Sequence, residues 1–274
     1  MENFFCISSY NNDLDWLKGF NNPHLIYDKT WNGGYEDNNS ILKVPPSNLK
    51  ERYPEFNIIK GSYYGYNVTD YLTYIIDNFN NLPEFIVFMK ANTIGRHVRE
   101  ETFRKICNNK YFTCIEDYKL FNLNQNSIKK RKAMVSCDGG WLEKNTSWYL
   151  RHHKHPTKFF LSYNAFLSFC FKDPVLPDFI RFPPGGCYIV SKHQILKYDS
   201  IFYRNLRLFS EHSRVSGEGQ LLERAFYTIW NCNFEVSSNM KKLINPDNFK
   251  LPNPKIKTFF YLLSKLKEIN FLNL

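Results

Sequence analysis

The stretch from Asn67 to Met89 constrains the fold of this chain more than any other. Val68, Tyr71, Leu72, Ile75 and Ile76 fall at i, i+3, i+4, i+7 and i+8, which is one face of a helix. Asn67 is the expected N-cap, and Asp70, three residues on, is favoured there by the helix dipole. Asn80-Asn81-Leu82-Pro83 then breaks the helix, because proline has no N–H and restricts the residue before it. The apolar run Phe85–Met89 follows at once. With a short strand expected over 56–59, the order is strand, helix, strand, which calls for a parallel α/β unit.

The flanking sequence extends that unit. Phe4–Ser9 reads as a strand, followed by a loop and helix start over Asn12–Leu17. His24–Tyr27 is a second strand ending at Asp28-Lys29, and residues 30–57, rich in Asn, Gly and Pro, form a long surface loop. A helix is expected over 100–107 and a strand over 112–115. Residues 122–132 are polar and end in the basic cluster Lys129–Lys132. The proline-rich stretch Pro174–Pro184 leads to Gly185-Gly186, a tight turn feeding the run Cys187–Val190. Further helices are expected over 192–196, 201–209 and 219–230. The chain divides into one domain over 1–245 and a linker with a basic amphipathic helix over 246–274. That helix either packs on the domain or docks on an anionic membrane.

With 43% hydrophobic and 18% aromatic residues the chain can bury a sizeable core, which excludes wholesale disorder. Its net charge of +10 favours phosphate-bearing partners: nucleic acid, anionic lipid or a nucleotide diphosphate. Nucleic acid ranks lowest, because the basic clusters are scattered and the aromatics sit at core periodicities. The seven cysteines are widely spaced and form no Cys-x-x-Cys pair, so they read as reduced core residues of a cytosolic protein. No run approaches the roughly 18 apolar residues of a membrane span. The expectation is a cytoplasmic chain, at most peripheral on a membrane.

Three stretches carry a resemblance. Ser9–Leu17 is followed by Ile26-Tyr27-Asp28-Lys29; Tyr71–Pro83, YLTYIIDNFNNLP, runs into Phe85–Met89; and PGGCYIVS, Pro184–Ser191, is joined by ERAFYTIW, Glu223–Trp230. Together they resemble a little-characterised family of bacterial and fungal proteins related to GT-A glycosyltransferases. The resemblance covers roughly residues 1–232 and implies a GT-A-like α/β domain with a mixed, mainly parallel sheet. The implied activity is transfer of a sugar from a nucleotide-diphosphate donor to a glycan or lipid-linked glycan acceptor, as in surface polysaccharide synthesis. The sequence departs from the family at Gly65-Tyr66-Asn67, where relatives have Gly-Arg-Glu, and at Arg96-His97, where they have an aromatic-His pair.

Such an enzyme must hold a diphosphate, stabilise its departing charge and deprotonate a hydroxyl. A divalent metal, Mn2+ or Mg2+, on an Asp-x-Asp motif is one solution; cationic side chains are another. No Asp-x-Asp follows Met89. Lys90, Asn92, Arg96 and His97 offer cations and donors instead, although the same residues also make an ordinary polar loop. Asp138, between small residues, is the alternative metal or ribose ligand, and Asp-Gly-Gly is equally an ordinary turn. Glu116-Asp117 reads as a solvated acidic pair outside the site. Ser9, Tyr10, Asp13, Asp28 and Lys29 lie at ends of the first two strands, where base and ribose recognition is expected.

For the general base the candidates are Glu211, Glu218 and Glu223. The resemblance favours Glu223, and Glu218 is expected on a flexible loop. Gly185 and Gly186 would let acceptor or sugar approach the backbone. His152, His153 and His155 read as a basic loop rather than a metal site, since adjacent histidines rarely converge on one ion. A non-catalytic carbohydrate- or nucleotide-binding relative of the same fold stands as the rival.

Overall fold

A computed structural model describes residues 2–31, 35–36, 43–44, 48–117, 120, 133–135, 140–152 and 154–249. Asp138, the basic cluster Lys129–Lys132, His153 and the basic amphipathic helix expected after Pro254 lie outside the described residues.

The described strands are β1 (Phe4–Ser9), β2 (His24–Asp28), β3 (Tyr35–Glu36), β4 (Lys43–Val44), β5 (Ile58–Lys60), β6 (Phe85–Lys90), β7 (Thr113–Cys114), β8 (Ala133–Val135), β9 (Trp141–Lys144), β10 (Phe179–Phe182) and β11 (Tyr188–Ser191). The helices are α1 (Leu49–Arg52), α2 (Tyr66–Asp77), α3 (Glu100–Ile106), α4 (Trp148–Arg151), α5 (Tyr163–Cys170), α6 (Lys192–Ile195), α7 (Ser200–Ser210) and α8 (Gly217–Asn231).

Six strands form one mixed sheet in the order β5-β2-β1-β6-β11-β7. β5, β2, β1 and β6 are mutually parallel, whereas β11 runs antiparallel to both β6 and β7. Successive side chains of a strand face opposite ways, and both faces here are covered. Ile86 and Phe88 of β6 enter the core beneath α2, α7 and α8. Val87 and Met89 enter the opposite core, with Phe5, Ile7, Ile26 and Phe103. Phe88 stacks on Trp230 of α8 with centroids 5.6 Å apart, tying that helix to the centre of the sheet. A second, antiparallel sheet, β10-β9-β8, packs against α8 through β10.

The helical periodicity over 67–78 is realised as α2, but its start differs from expectation. Gly65 caps the helix in the left-handed conformation, and Tyr66 follows at φ +58°. Asn67 lies inside the first turn with its amide free to reach across the fold. Asp70 serves the core rather than the dipole: its carboxylate accepts from Ser8 Oγ at 2.6 Å and Ser62 N–H at 2.9 Å, and pairs with Lys29 Nζ at 3.4 Å. The helix start expected over 12–17 is a 3-10 turn at Asp15–Gly19. β10 lies inside the proline-rich stretch, where no strand was expected. All six described cysteines are free, and five of them are buried. Among the described residues no helix is long and apolar enough to cross a membrane.

Candidate functional site

In open α/β sheets, ligands bind beyond the carboxyl ends of the strands, where the strand order reverses direction. Here that point lies between β1 and β6. A cavity of about 510 Å³ opens there, with Tyr10 and Asn12 from the β1 loop and Lys90, Asn92, Arg96 and His97 from the β6 loop in its wall. Because β11 is antiparallel to β6, its entry turn, Gly185-Gly186, lies beside the end of β6. α8 supplies Gln220, Glu223 and Arg224, and the second sheet supplies Trp141, Glu143 and Phe182.

Gly185 has φ +86°, and a Cβ built on it would stand 2.6 Å from Lys90 Nζ and 2.9 Å from His97 Nε2. Only glycine leaves room for both side chains. Gly186, at φ +62°, lies against Glu223, where a Cβ would stand 3.3 Å from Cγ. Asn67 donates its amide to Gly185 O at 2.9 Å, fixing the turn to α2. Tyr66 and Asn67, where the resembling family has Arg and Glu, therefore both reach this cavity.

The cavity is electrostatically uneven. Among the described residues, no acceptor lies within hydrogen-bond distance of Lys90 Nζ, and no carboxylate pairs with Arg96. Burial pushes the Lys90 ammonium below its usual range, opposed by Cys187, Glu223 and Glu116. An incompletely paired buried cation is costly, and such groups concentrate at functional sites. The cavity's other cation, Arg224, is paired: its Nε donates to Glu143 Oε2 at 2.6 Å while Trp148 Nε1 donates to Glu143 Oε1 at 2.7 Å. The Arg224 guanidinium lies over Phe182, 4.5 Å from the ring centroid, and over Tyr149 at 4.3 Å. The lining thus combines cations of the β6 loop with the aromatic rings of Trp141, Trp148 and Phe182.

Beside these cations, His97 Nδ1 lies 3.3 Å from Glu116 Oε2, with both residues buried. Burial, then Lys90 and Arg96, push the imidazole down to about 2. Burial also pushes the Glu116 carboxyl up to about 9, with Glu223 and Asp117 reinforcing the shift. Both shifts favour the uncharged forms, an imidazole beside a protonated carboxyl. Glu116, read from the sequence as solvated, supports the site from below. Only its position after a buried strand signals this. Asp117 accepts Arg99 Nε at 2.6 Å and holds the loop.

The structure brings together seven of the residues singled out: Tyr10, Lys90, Asn92, Arg96, His97, Gly185 and Glu223. Gly186 adjoins them. Ser9 is buried and its hydroxyl accepts Asn12 N–H at 3.3 Å, shaping the β1 turn. Asp13 is exposed and accepts from Asp15 N–H and Tyr53 OH. Asp28 is buried in a local turn with Thr30, and Lys29 is buried against Asp70. None of these four lines the cavity.

Glu218 departs furthest from its expected role as a base on a flexible loop. It lies in the first turn of α8, fully buried. Its Oε1 accepts N–H groups from Lys158, Phe159 and Phe160, and His212 Nε2 lies 2.8 Å from Oε2. A carboxylate committed to four partners and walled off from the cavity is a structural anchor. Glu211 ends α7, paired with Arg207. Glu223, partly open to the cavity, is the remaining carboxylate with access.

A divalent metal does not fit the described residues. No group of three or more His, Cys, Asp or Glu converges there. The described carboxylates of the cavity are Glu223 and the Arg224-bound Glu143, beside Lys90 and Arg96, which would repel a metal ion.

Fold and cavity define a mainly parallel α/β protein with a cationic, aromatic-walled site at the switch point of its sheet. A family model described as "Protein of unknown function (DUF3431)" matches residues 36–244, so the chain belongs to that family. No curated protein and no solved structure matches it.

Proposed function

We propose that the protein is a nucleotide-sugar-dependent glycosyltransferase of GT-A-like fold that holds the donor diphosphate with side chains rather than a metal ion. The observation that carries this reading is the approach of Lys90 and His97 to the Gly185 turn, in one cavity with Arg96, aromatic rings and Glu223. Lys90 and Arg96, which pair with no carboxylate among the described residues, supply the field that a departing diphosphate requires. Trp141, Trp148 and Phe182 offer apolar faces for a sugar ring or base. Glu223 is the general base for the acceptor hydroxyl, a glycan or lipid-linked glycan. The strand order and its switch point support the fold assignment.

The test is release of nucleoside diphosphate from a panel of nucleotide sugars, in the presence of EDTA, by the wild type and by Glu223→Gln. Release by the wild type and its loss in the variant, with donor binding kept, is expected. Donor binding without turnover in either protein would favour a non-catalytic binding relative. Absence of binding for every nucleotide sugar overturns the reading.

A further inference from the structure

The buried His97–Glu116 pair is built as more than packing. His97 N–H donates to Thr93 O at 2.8 Å and Asp117 N–H donates to His97 O at 2.7 Å, so the backbone that carries the imidazole is fixed. The ring presents two different edges. Nε2 faces the Gly185 turn beside Lys90, and Nδ1 faces Glu116. Among the described residues, neither ring nitrogen and neither Glu116 oxygen has a partner in hydrogen-bond geometry, although His97 is 4% exposed and Glu116 is 6% exposed. Such atoms are costly unless the two side chains complete each other through a shared proton and a ligand meets the outward Nε2.

We propose that Glu116 and His97 form a one-proton relay that responds to a phosphate-bearing ligand. An anion held by Lys90 and Arg96 draws the proton from the Glu116 carboxyl onto His97 Nδ1, leaving Nε2–H to donate to the anion. The step balances without solvent: the carboxyl becomes a carboxylate, the imidazole becomes an imidazolium, and the proton count is unchanged. The site thereby gains a cation beside Lys90 and Arg96 only when its ligand is present, and the new ion pair is shielded from water. Glu116 is a positioning residue in this scheme, since it touches no ligand. The groups facing the pair are Lys90 from β6, Arg96 on the same loop, Cys187 at the start of β11, Glu223 from α8, and Asp117, which is neutralised by Arg99. In the free protein burial, then the two cations, oppose the imidazolium, and a bound anion offsets the cations while adding its own attraction for the positive ring. The relay rests on the diphosphate reading of this cavity, though not on sugar transfer.

The test is a titration of the full chain with inorganic pyrophosphate, reading His97 by side-chain 15N NMR at pH 7.5. The expected result is an imidazolium signature for His97 at saturation in the wild type and a neutral ring in Glu116→Gln, which binds about tenfold more weakly. Wild-type affinity, corrected for the ligand's own ionisation, should fall as pH rises past about 9, where Glu116 loses its proton. A His97 that stays neutral at saturation overturns the relay while leaving the diphosphate reading intact. Failure of pyrophosphate to bind the wild type at all overturns both.

Discussion

Lys90 lies over Gly185 so closely that a methyl group on that glycine would stand 2.6 Å from Nζ and 2.8 Å from Cε. The turn before β11 and the end of β6 are thus built as one feature: the glycine makes space, and the lysine occupies it without a partner. Gly185→Ala should displace the ammonium and force a side chain into the left-handed region, costing about 1–2 kcal/mol. A lower melting temperature with weakened anion binding is the expected result. Unchanged binding would mean that Lys90 does not need this space.

Lys90→Met removes a half-buried cation that has no hydrogen-bond acceptor among the described residues. Stability is expected to rise by about 1 kcal/mol, because the desolvation cost disappears and the aliphatic stem is kept. Binding of any diphosphate should fall at least tenfold in the same variant. Denaturant midpoints and calorimetric titration separate the two effects; loss of both stability and binding would make Lys90 a structural residue.

Glu218 and Glu223, five residues apart on α8, should behave oppositely. Glu218→Ala strips an acceptor from three backbone N–H groups and should cost about 3–5 kcal/mol, seen as a large loss in denaturant midpoint. Glu223→Gln should leave stability within about 0.5 kcal/mol of wild type and lower turnover by about 100-fold or more. The reverse pattern would exchange their roles.

The His97–Glu116 pair also sets a pH dependence of stability. Glu116 holds its proton up to about 9 in the fold but only to 4.5 when unfolded, so stability falls as pH rises between those values. His97 titrates near 2 in the fold and 6.5 unfolded, so stability rises with pH over that interval. Where the two intervals overlap, from 4.5 to 6.5, the contributions cancel and the pair gives a plateau. Each limb has a slope of about 1.4 kcal/mol per pH unit at most. Glu116→Gln should remove the decline above 6.5 and turn the plateau into a rise, measurable by urea unfolding across pH. An identical profile in wild type and variant would contradict the assignment.

The main elements were legible because their patterns are unambiguous: α2 from its apolar face and β6 from an uninterrupted run. The break at Pro83 and the Gly185-Gly186 turn were legible because those residue types act locally. What the sequence hid depends on distance. Glu218 sits between two glycines and reads as loop; only its meeting with the backbone of Lys158, Phe159 and Phe160 makes it an anchor. Lys29 and Asp28 look alike as polar strand-end residues, yet Lys29 is drawn inside by Asp70, 41 residues away in sequence. Glu116 and Glu143 read as charged loop or strand residues until His97 and Arg224 are placed beside them. β10 was hidden because the prolines around it mask a four-residue strand whose hydrogen bonds go to β9.

We propose that Lys90 and Arg96, which pair with no carboxylate among the described residues, hold a nucleotide diphosphate at the end of β6 without a metal. Calorimetric titration of the chain with nucleoside diphosphates in EDTA tests it most directly, with Arg96→Gln and Lys90→Met in parallel. The account predicts saturable binding in EDTA, weakened at least tenfold in each variant and weakened further by salt. Binding that appears only when Mn2+ or Mg2+ is added, or that survives both substitutions unchanged, would contradict it.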